Sequence, residues 1–69
     1  MAYEYIGSCL KDLPTEVQAA IRADDDVCMM VEDGWVDAFL RNREDGTVIG
    51  VIFVEDTGEI SASRQVYPV

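Results

Sequence analysis

The chain has 69 residues and a net charge of −9, from 14 carboxylates and five lysine or arginine residues, with no histidine. A chain of this length forms one domain, residues 1–69, whose thin core leaves no room for a deep catalytic cleft. A hydrophobic fraction of 49% argues against a disordered chain, and no apolar run approaches the roughly 20 residues of a membrane span. We therefore expect a soluble, cytoplasmic protein that repels nucleic acids and anionic membranes and attracts basic surfaces.

The N-terminal third predicts one short strand and one helix. Residues 3–6, Tyr-Glu-Tyr-Ile, have the composition of a strand and are followed by Gly7. Pro14 is tolerated in a first helical turn, where its missing N–H has no partner, and acidic Glu16 suits the positive end of the helix dipole. A helix is therefore predicted at about residues 14–23. Its apolar face contains Leu13, Val17, Ala20 and Ile21.

Three glycines, Gly34, Gly46 and Gly58, follow one another at intervals of twelve residues. The first two come directly after aspartate, and Asp-Gly between strand-type runs is a strong hairpin signal. The three aspartates of residues 24–26 oppose the dipole at the C-terminal end of the helix and are expected to form a loop. The pattern predicts an α+β fold: a four-stranded antiparallel β-meander at about residues 27–66, with the helix packed on one face.

Strand positions counted outward from two-residue turns divide the predicted sheet into an apolar face and a mixed face. The helix is expected on the apolar face, and the N-terminal segment or another chain is expected to cover the middle of the mixed face. The apolar face, interrupted by Arg64, contains Val27, Met29, Val31, Val36, Ala38, Leu40, Ile49, Val51, Phe53, Ile60, Ala62 and Val66. The middle of the mixed face contains Met30, Trp35, Phe39, Ile52 and Val54.

An alternative to the meander is a helix at residues 35–42. Trp35, Phe39 and Leu40 would then lie on its apolar side, and Asp37 and Arg41 would pair at i, i+4 on the outer side. In this alternative the helix is inserted between the strands.

The residue types argue against an enzyme, a metal site and a bound cofactor. Without histidine, no Ser-His, Cys-His or His-metal site can form. Cys9 and Cys28 have neither metal-ligand spacing nor basic neighbours that would lower a thiol pKa. Two free, partly buried thiols are the favoured interpretation, and a disulfide between the two cysteines is the alternative. The aspartates of residues 24–26 lack the alternating spacing of a calcium loop.

The excess of carboxylates is the main functional signal. Alternate turns of a meander lie at the same end of the sheet, so the first and third turns should bring five acids together, two strands and about 10 Å apart. The second turn carries two acids to the opposite end, near residues 24–26. These groups are predicted to bind a basic partner. The predicted binding residues are Glu32, Asp33, Glu55, Asp56 and Glu59 at one end, Glu44, Asp45, Asp24, Asp25 and Asp26 at the other, and Trp35, Asp37 and Phe39 between them.

In size, in charge and in the lack of a catalytic residue set, the chain resembles small acidic phage proteins that block host defence: anti-CRISPR proteins, anti-restriction proteins and other DNA mimics. The resemblance rests on no motif, so no residue role is carried over from it. It implies an inhibitor, acting in the cytoplasm of a host cell, that masks a basic nucleic-acid-binding protein. A CRISPR effector subunit is the first candidate for that partner. The alternatives are a homodimeric structural or adaptor module, paired through the mixed face, and an antitoxin-like regulatory partner of a basic protein.

Overall fold

A computed structural model describes residues 2–68. The sheet has strands β1 (Tyr3–Gly7), β2 (Ala38–Asn42), β3 (Val48–Phe53) and β4 (Ile60–Tyr67), and the helices are α1 (Thr15–Ala23) and α2 (Asp25–Glu32). A short 3₁₀ turn, Leu10–Asp12, precedes α1. All neighbouring strands are antiparallel, in the order β1-β2-β3-β4. The predicted α+β class with a four-stranded antiparallel sheet is therefore confirmed. Neither helix of the described residues is long and apolar enough to cross a membrane.

The prediction of a strand from Val27 onward is wrong, because residues 25–32 form a second helix. Asp24 ends α1 and begins α2, and its Oδ1 accepts the backbone N–H groups of Asp26 at 3.1 Å and Val27 at 3.2 Å. An N-cap of this kind satisfies donors that the first helical turn leaves unpaired. Asp24 ends the first helix, as expected, but Asp25 and Asp26 form the first turn of α2 and not the predicted loop. Their negative charges suit the N-terminus of this second helix.

Gly34 stops α2 and does not turn a hairpin. Its φ of 79° lies in the left-handed region that glycine adopts without steric cost. The N–H of Gly34 donates to the Val31 carbonyl at 3.2 Å, and the N–H of Trp35 donates to the Met30 carbonyl at 3.0 Å. This bonding is a Schellman motif, which caps the last carbonyls of a helix. The first of the three equally spaced glycines therefore has a different role from the other two.

The other two glycines end four-residue hairpin loops, where the sequence predicted two-residue turns. In the first, the N–H of Asn42 donates to the Thr47 carbonyl at 2.7 Å and the N–H of Gly46 to the Asn42 carbonyl at 2.8 Å. The loop before Gly58 has the same two bonds, between Val54 and Glu59 and between Gly58 and Val54. The longer loop shifts the β2–β3 pairing by two residues. Such a shift keeps the side chains of β2 and β3 on their predicted faces, because strand side chains alternate with a period of two. In β4 the prediction is wrong: an irregular register between Phe53 and Ile52 turns Ala62 and Arg64 to the opposite face, and Val66 lies in the buried cluster.

β1 takes the sheet position expected for the strand at residues 27–33. Tyr5 pairs with Leu40 of β2, and Leu40 pairs in turn with Ile49 of β3. The predicted strand at residues 3–6 is confirmed. The alternative helix at residues 35–42 is wrong, because β2 forms ladders with strands on both sides.

Both helices pack on the face that the sequence identified as mixed, so the predicted position of the helix layer is wrong. Phe39 and Val48 are fully buried there, beneath α1 and α2. Gly50 lies on the same face, where an added Cβ would come within 3.2 Å of Val36 Cγ1, so a side chain at this position would crowd Val36. The buried cluster contains Leu13, Val17, Ile21, Val27, Phe39, Val48 and Val66.

The opposite face of the sheet, which no helix covers, is called the open face. Strand alternation and register place on it the apolar residues Tyr3, Tyr5, Ala38, Leu40, Ile49, Val51, Phe53 and Ile60. Ala38 and Val51 at its centre are buried, whereas Tyr5 is 64% exposed and Ile60 50% exposed. In β2 and β3, the apolar face that was expected to carry the helix is therefore the uncovered one.

The N-cap of α2 gives a direct test of this fold. We expect Asp24→Ala to lower the free energy of unfolding by about 1 kcal/mol, the usual cost of losing a capping side chain. Asp24→Asn keeps the acceptor oxygen and removes the charge, so it should cost distinctly less. Urea denaturation of the two variants and the parent chain measures the difference. Equal destabilisation by both substitutions would contradict the capping role.

Candidate partner-binding surface

Two half-buried carboxylates make all the ion pairs of the described residues. Glu4 bonds Arg41 through Oε1 and Arg43 through Oε2, each at 3.1 Å, and Asp24 Oδ2 lies 3.8 Å from Arg64. The other twelve of the 14 carboxylates are exposed and have no ion-pair partner within residues 2–68. Three of the five cations are thus held by the two least exposed acids, and the negative surface is left unneutralised.

Glu4 holds the edge strand β1 against β2 through its ion pairs. The hydrogen bond from Arg41 is the main cause that lowers the pKa of its carboxyl, and Arg43 adds to the effect. Both partners belong to β2 or the residue that follows it, so the interaction ties the N-terminal strand to the strand beside it. This carboxylate has a structural role.

Residues 54–59, called the acidic loop, join β3 to β4. Glu55, Asp56 and Glu59 are all exposed there. Within the loop the Thr57 hydroxyl accepts the backbone N–H of Glu59 at 3.3 Å. The described side-chain hydrogen bonds of the loop thus use the threonine and not the three carboxylates, which stay available to a partner.

Asp37 joins the acidic loop at the same end of the sheet. Its backbone N–H donates to the Val51 carbonyl at 2.8 Å, and its Oδ2 accepts the N–H of Phe53 at 2.7 Å. Asp37 and Glu55 line one open depression, together with Phe53, Val54 and Gly58. The exposed Asp37 side chain thus brings a fourth carboxylate beside the loop.

Glu32 and Asp33 lie at the C-terminal end of α2. The predicted grouping of these two acids with the acidic loop required a hairpin at Gly34, where the structure has the end of α2 instead. Both acids are exposed, and their charges oppose the negative end of the helix dipole. Asp37, in the segment between α2 and β2, is the acid that lies against β3, because its carboxylate accepts the Phe53 N–H.

Glu44 and Asp45 lie in the loop between β2 and β3, at the opposite end of the sheet. Asp45 Oδ1 accepts the Thr47 N–H at 2.9 Å, and this bond lowers the pKa of the Asp45 carboxyl. Asp24 is bound to α2 and to Arg64 of β4. Its exposed neighbours, Asp25 and Asp26, occupy the first turn of α2.

The two aromatic residues predicted at the binding surface have different environments. Trp35 is 64% exposed, directly after the glycine that caps α2. Phe39 is fully buried in the core and cannot contact a partner, so its predicted binding role does not fit the structure. The sequence analysis did not predict that Tyr5 is exposed. The alternation of side chains in β1, which puts Tyr5 and Glu4 on opposite faces, could have indicated it.

The two cysteines differ in their exposure and surroundings. Both are free thiols in the structure, Cys9 exposed and Cys28 half-buried. Burial raises the pKa of the Cys28 thiol, and the Glu32 carboxylate, whose Oε1 lies 3.7 Å from its sulfur, adds to the effect. Within residues 2–68 there is no group of three acidic or sulfur side chains placed to hold a metal ion.

Comparison of the chain with protein families, with curated proteins and with solved structures found no match.

The Glu4 ion pairs predict a specific pH dependence. Because folding lowers the pKa of this carboxyl, it stabilises the fold above its unfolded pKa of about 4.3, and the contribution is lost as the pH falls through the lower folded value. We expect Glu4→Gln to be less stable than the parent at pH 7 and the difference to shrink below about pH 4. Urea titrations between pH 7 and pH 3 measure it. Glu44→Gln, at an exposed site without an ion pair, is the control; the same pH profile for both variants would contradict the assignment.

Proposed function

We propose that the protein is an inhibitor that binds and masks the basic nucleic-acid-binding surface of another protein. The observation that supports this proposal is the distribution of charge within residues 2–68: twelve exposed carboxylates make no ion pair there, and two half-buried ones hold three arginines. A surface needed only for solubility would be served by interspersed charges of both signs. Unneutralised carboxylates raise the free energy of the isolated fold, and a basic partner would relieve that repulsion.

The proposed mechanism uses carboxylates in place of phosphates. Arginine side chains that bind phosphate through two parallel hydrogen bonds bind carboxylate with the same fork geometry. Long-range attraction between the −9 chain and a basic groove raises the association rate. The bound chain then occupies the groove, so nucleic acid is excluded without any chemical step.

The acidic loop with Asp37 is the part of the surface that we propose to contact the partner first. Its carboxylates are exposed at the tip of a hairpin, and the two that line the open depression can be reached from one side. Trp35, which lies two residues before Asp37, offers an exposed aromatic side chain of the kind that often anchors interfaces. As the first partner to test, we propose the DNA-binding surface of a CRISPR effector.

Matched pairs of substitutions locate the contact. Glu55→Gln with Asp56→Asn and Glu44→Gln with Asp45→Asn each remove two charges, at opposite ends of the sheet. If the acidic loop makes the contact, the first pair should raise the inhibition constant about tenfold or more, since hydrogen bonds to charged groups are worth roughly 1.5–3 kcal/mol each. The second pair should change it much less. Inhibition of DNA cleavage by a panel of purified CRISPR effectors is the measurement.

Two outcomes of that experiment would count against the proposal in different ways. An equal loss of inhibition in both pairs would show that inhibition depends on the net charge and not on the acidic loop. If the parent chain inhibits no effector and no other nucleic-acid-binding protein at low salt, the masking function itself is rejected.

Salt gives an independent test of the same proposal. An interaction between exposed carboxylates and a basic groove should weaken steeply as sodium chloride rises from about 0.1 to 0.5 M, because the screening length falls below about 10 Å. Titration calorimetry with an inhibited partner at three salt concentrations measures the slope. An affinity that does not change with salt would show that the acids do not carry the binding.

A further inference from the structure

We infer that the open face binds the open face of a second copy of this chain, so that two sheets stack into a sandwich. The first observation is the absence of charge. Although 28% of the chain is charged, the strand register places no charged side chain on the open face within residues 2–68. Besides the apolar residues named above, this face holds only neutral side chains such as those of Asn42, Ser63 and Gln65.

The second observation is the exposed apolar surface that remains on this face. Tyr3, Tyr5 and Ile60 are 38%, 64% and 50% exposed, and Leu40, Ile49 and Phe53 are partly exposed beside them. Tyr5, Leu40 and Ile49 are register neighbours across three strands and form one continuous row. A contiguous apolar patch on a small soluble protein marks an interaction surface.

The neutrality of the patch decides which partner it suits. If a basic partner bound here, its lysines and arginines would lose their hydration against a surface with no counter-charge. This desolvation would cost free energy. An uncharged apolar surface avoids that penalty, and the open face of a second copy is such a surface. The basic partner and the second copy therefore belong on different sides of the molecule.

The size of the face is sufficient for a dimer of modest affinity. Four strands about 4.8 Å apart make the face about 19 Å wide, and the five residues of β2 and six of β3, at about 3.3 Å per residue, make its centre about 18 Å long. Because side chains project from the plane, two such faces bury on the order of 1,000 Å² of accessible surface, where specific interfaces begin. Stacked sheets pack about 10 Å apart, so both helix layers and both acidic loops stay in solvent.

Sedimentation equilibrium from about 5 µM to about 1 mM tests the inference. We expect a reversible monomer–dimer equilibrium that is strengthened by salt, because screening reduces the repulsion between two chains of −9 charge. The expected salt dependence is thus opposite to that of binding to a basic partner. A parent chain that stays monomeric throughout this range in 0.5 M sodium chloride would overturn the inference.

Tyr5→Arg and Met29→Arg form a matched pair of variants. Tyr5 is 64% exposed on the open face and Met29 is 61% exposed on α2, so both substitutions place the same charge at sites of similar exposure. Tyr5→Arg should raise the dimer dissociation constant at least tenfold, and Met29→Arg should leave it within about twofold. Equal effects of the two variants would overturn the inference.

A measurement on the unmodified chain keeps the test independent of whether Tyr5→Arg folds. Backbone amide NMR shifts followed on dilution should change along β2 and β3, which carry the open face, and stay constant along α1 and in the acidic loop. Shifts that change mainly in the helices would place any dimer contact elsewhere and contradict the stacked arrangement. None of these measurements depends on the proposed masking function.

Discussion

The Asp24 carboxylate accepts two backbone N–H groups at the start of α2, and the arrangement of the helix layer depends on that contact. Because α1 ends at the residue that begins α2, the chain turns within one residue and lays both helices on the same side of the sheet. Val27, Ile21 and Phe39 are then buried in one hydrophobic cluster. The second helix leaves no strand at residues 27–33, so β1 pairs with β2 and the other side of the sheet stays uncovered.

The sequence predicted the elements whose signals are local. α1, β1 and the chain reversals near Gly46 and Gly58 depend on capping residues, composition and turn chemistry within a few positions, and all are present in the structure. α2 was missed because its apolar residues fit two periods. Val27, Met29 and Val31 alternate like a strand, while Val27 and Val31 are also one helical turn apart. Only the cap at Asp24 and the stop at Gly34 distinguish the two, and Asp-Gly is equally a hairpin signal.

The buried face was harder to predict than the register. Both sides of β2 and β3 carry enough apolar residues to be covered, and alternation alone does not say which side the helices choose. Gly50, Phe39 and Val36 fit together on the chosen side, a packing relation between residues distant in sequence. For the candidate site, the exposed carboxylates of the acidic loop could be read from turn composition. Asp37 could not, because its place beside the loop depends on tertiary hydrogen bonding to Phe53.

The two kinds of surface on this molecule follow from strand geometry. Side chains within a strand alternate between faces, so an uncharged face needs neutral residues only at every second position, whereas loops at strand ends carry charge without affecting either face. Glu4 illustrates the rule, since it lies between Tyr3 and Tyr5 yet points to the helix side, where Arg41 and Arg43 hold it. The fold therefore carries negative charge in the loops at the ends of the sheet and keeps one face of the sheet neutral. The proposed association through that face and the proposed attraction of a basic partner to the loops would respond to salt in opposite directions, because only the second brings unlike charges together.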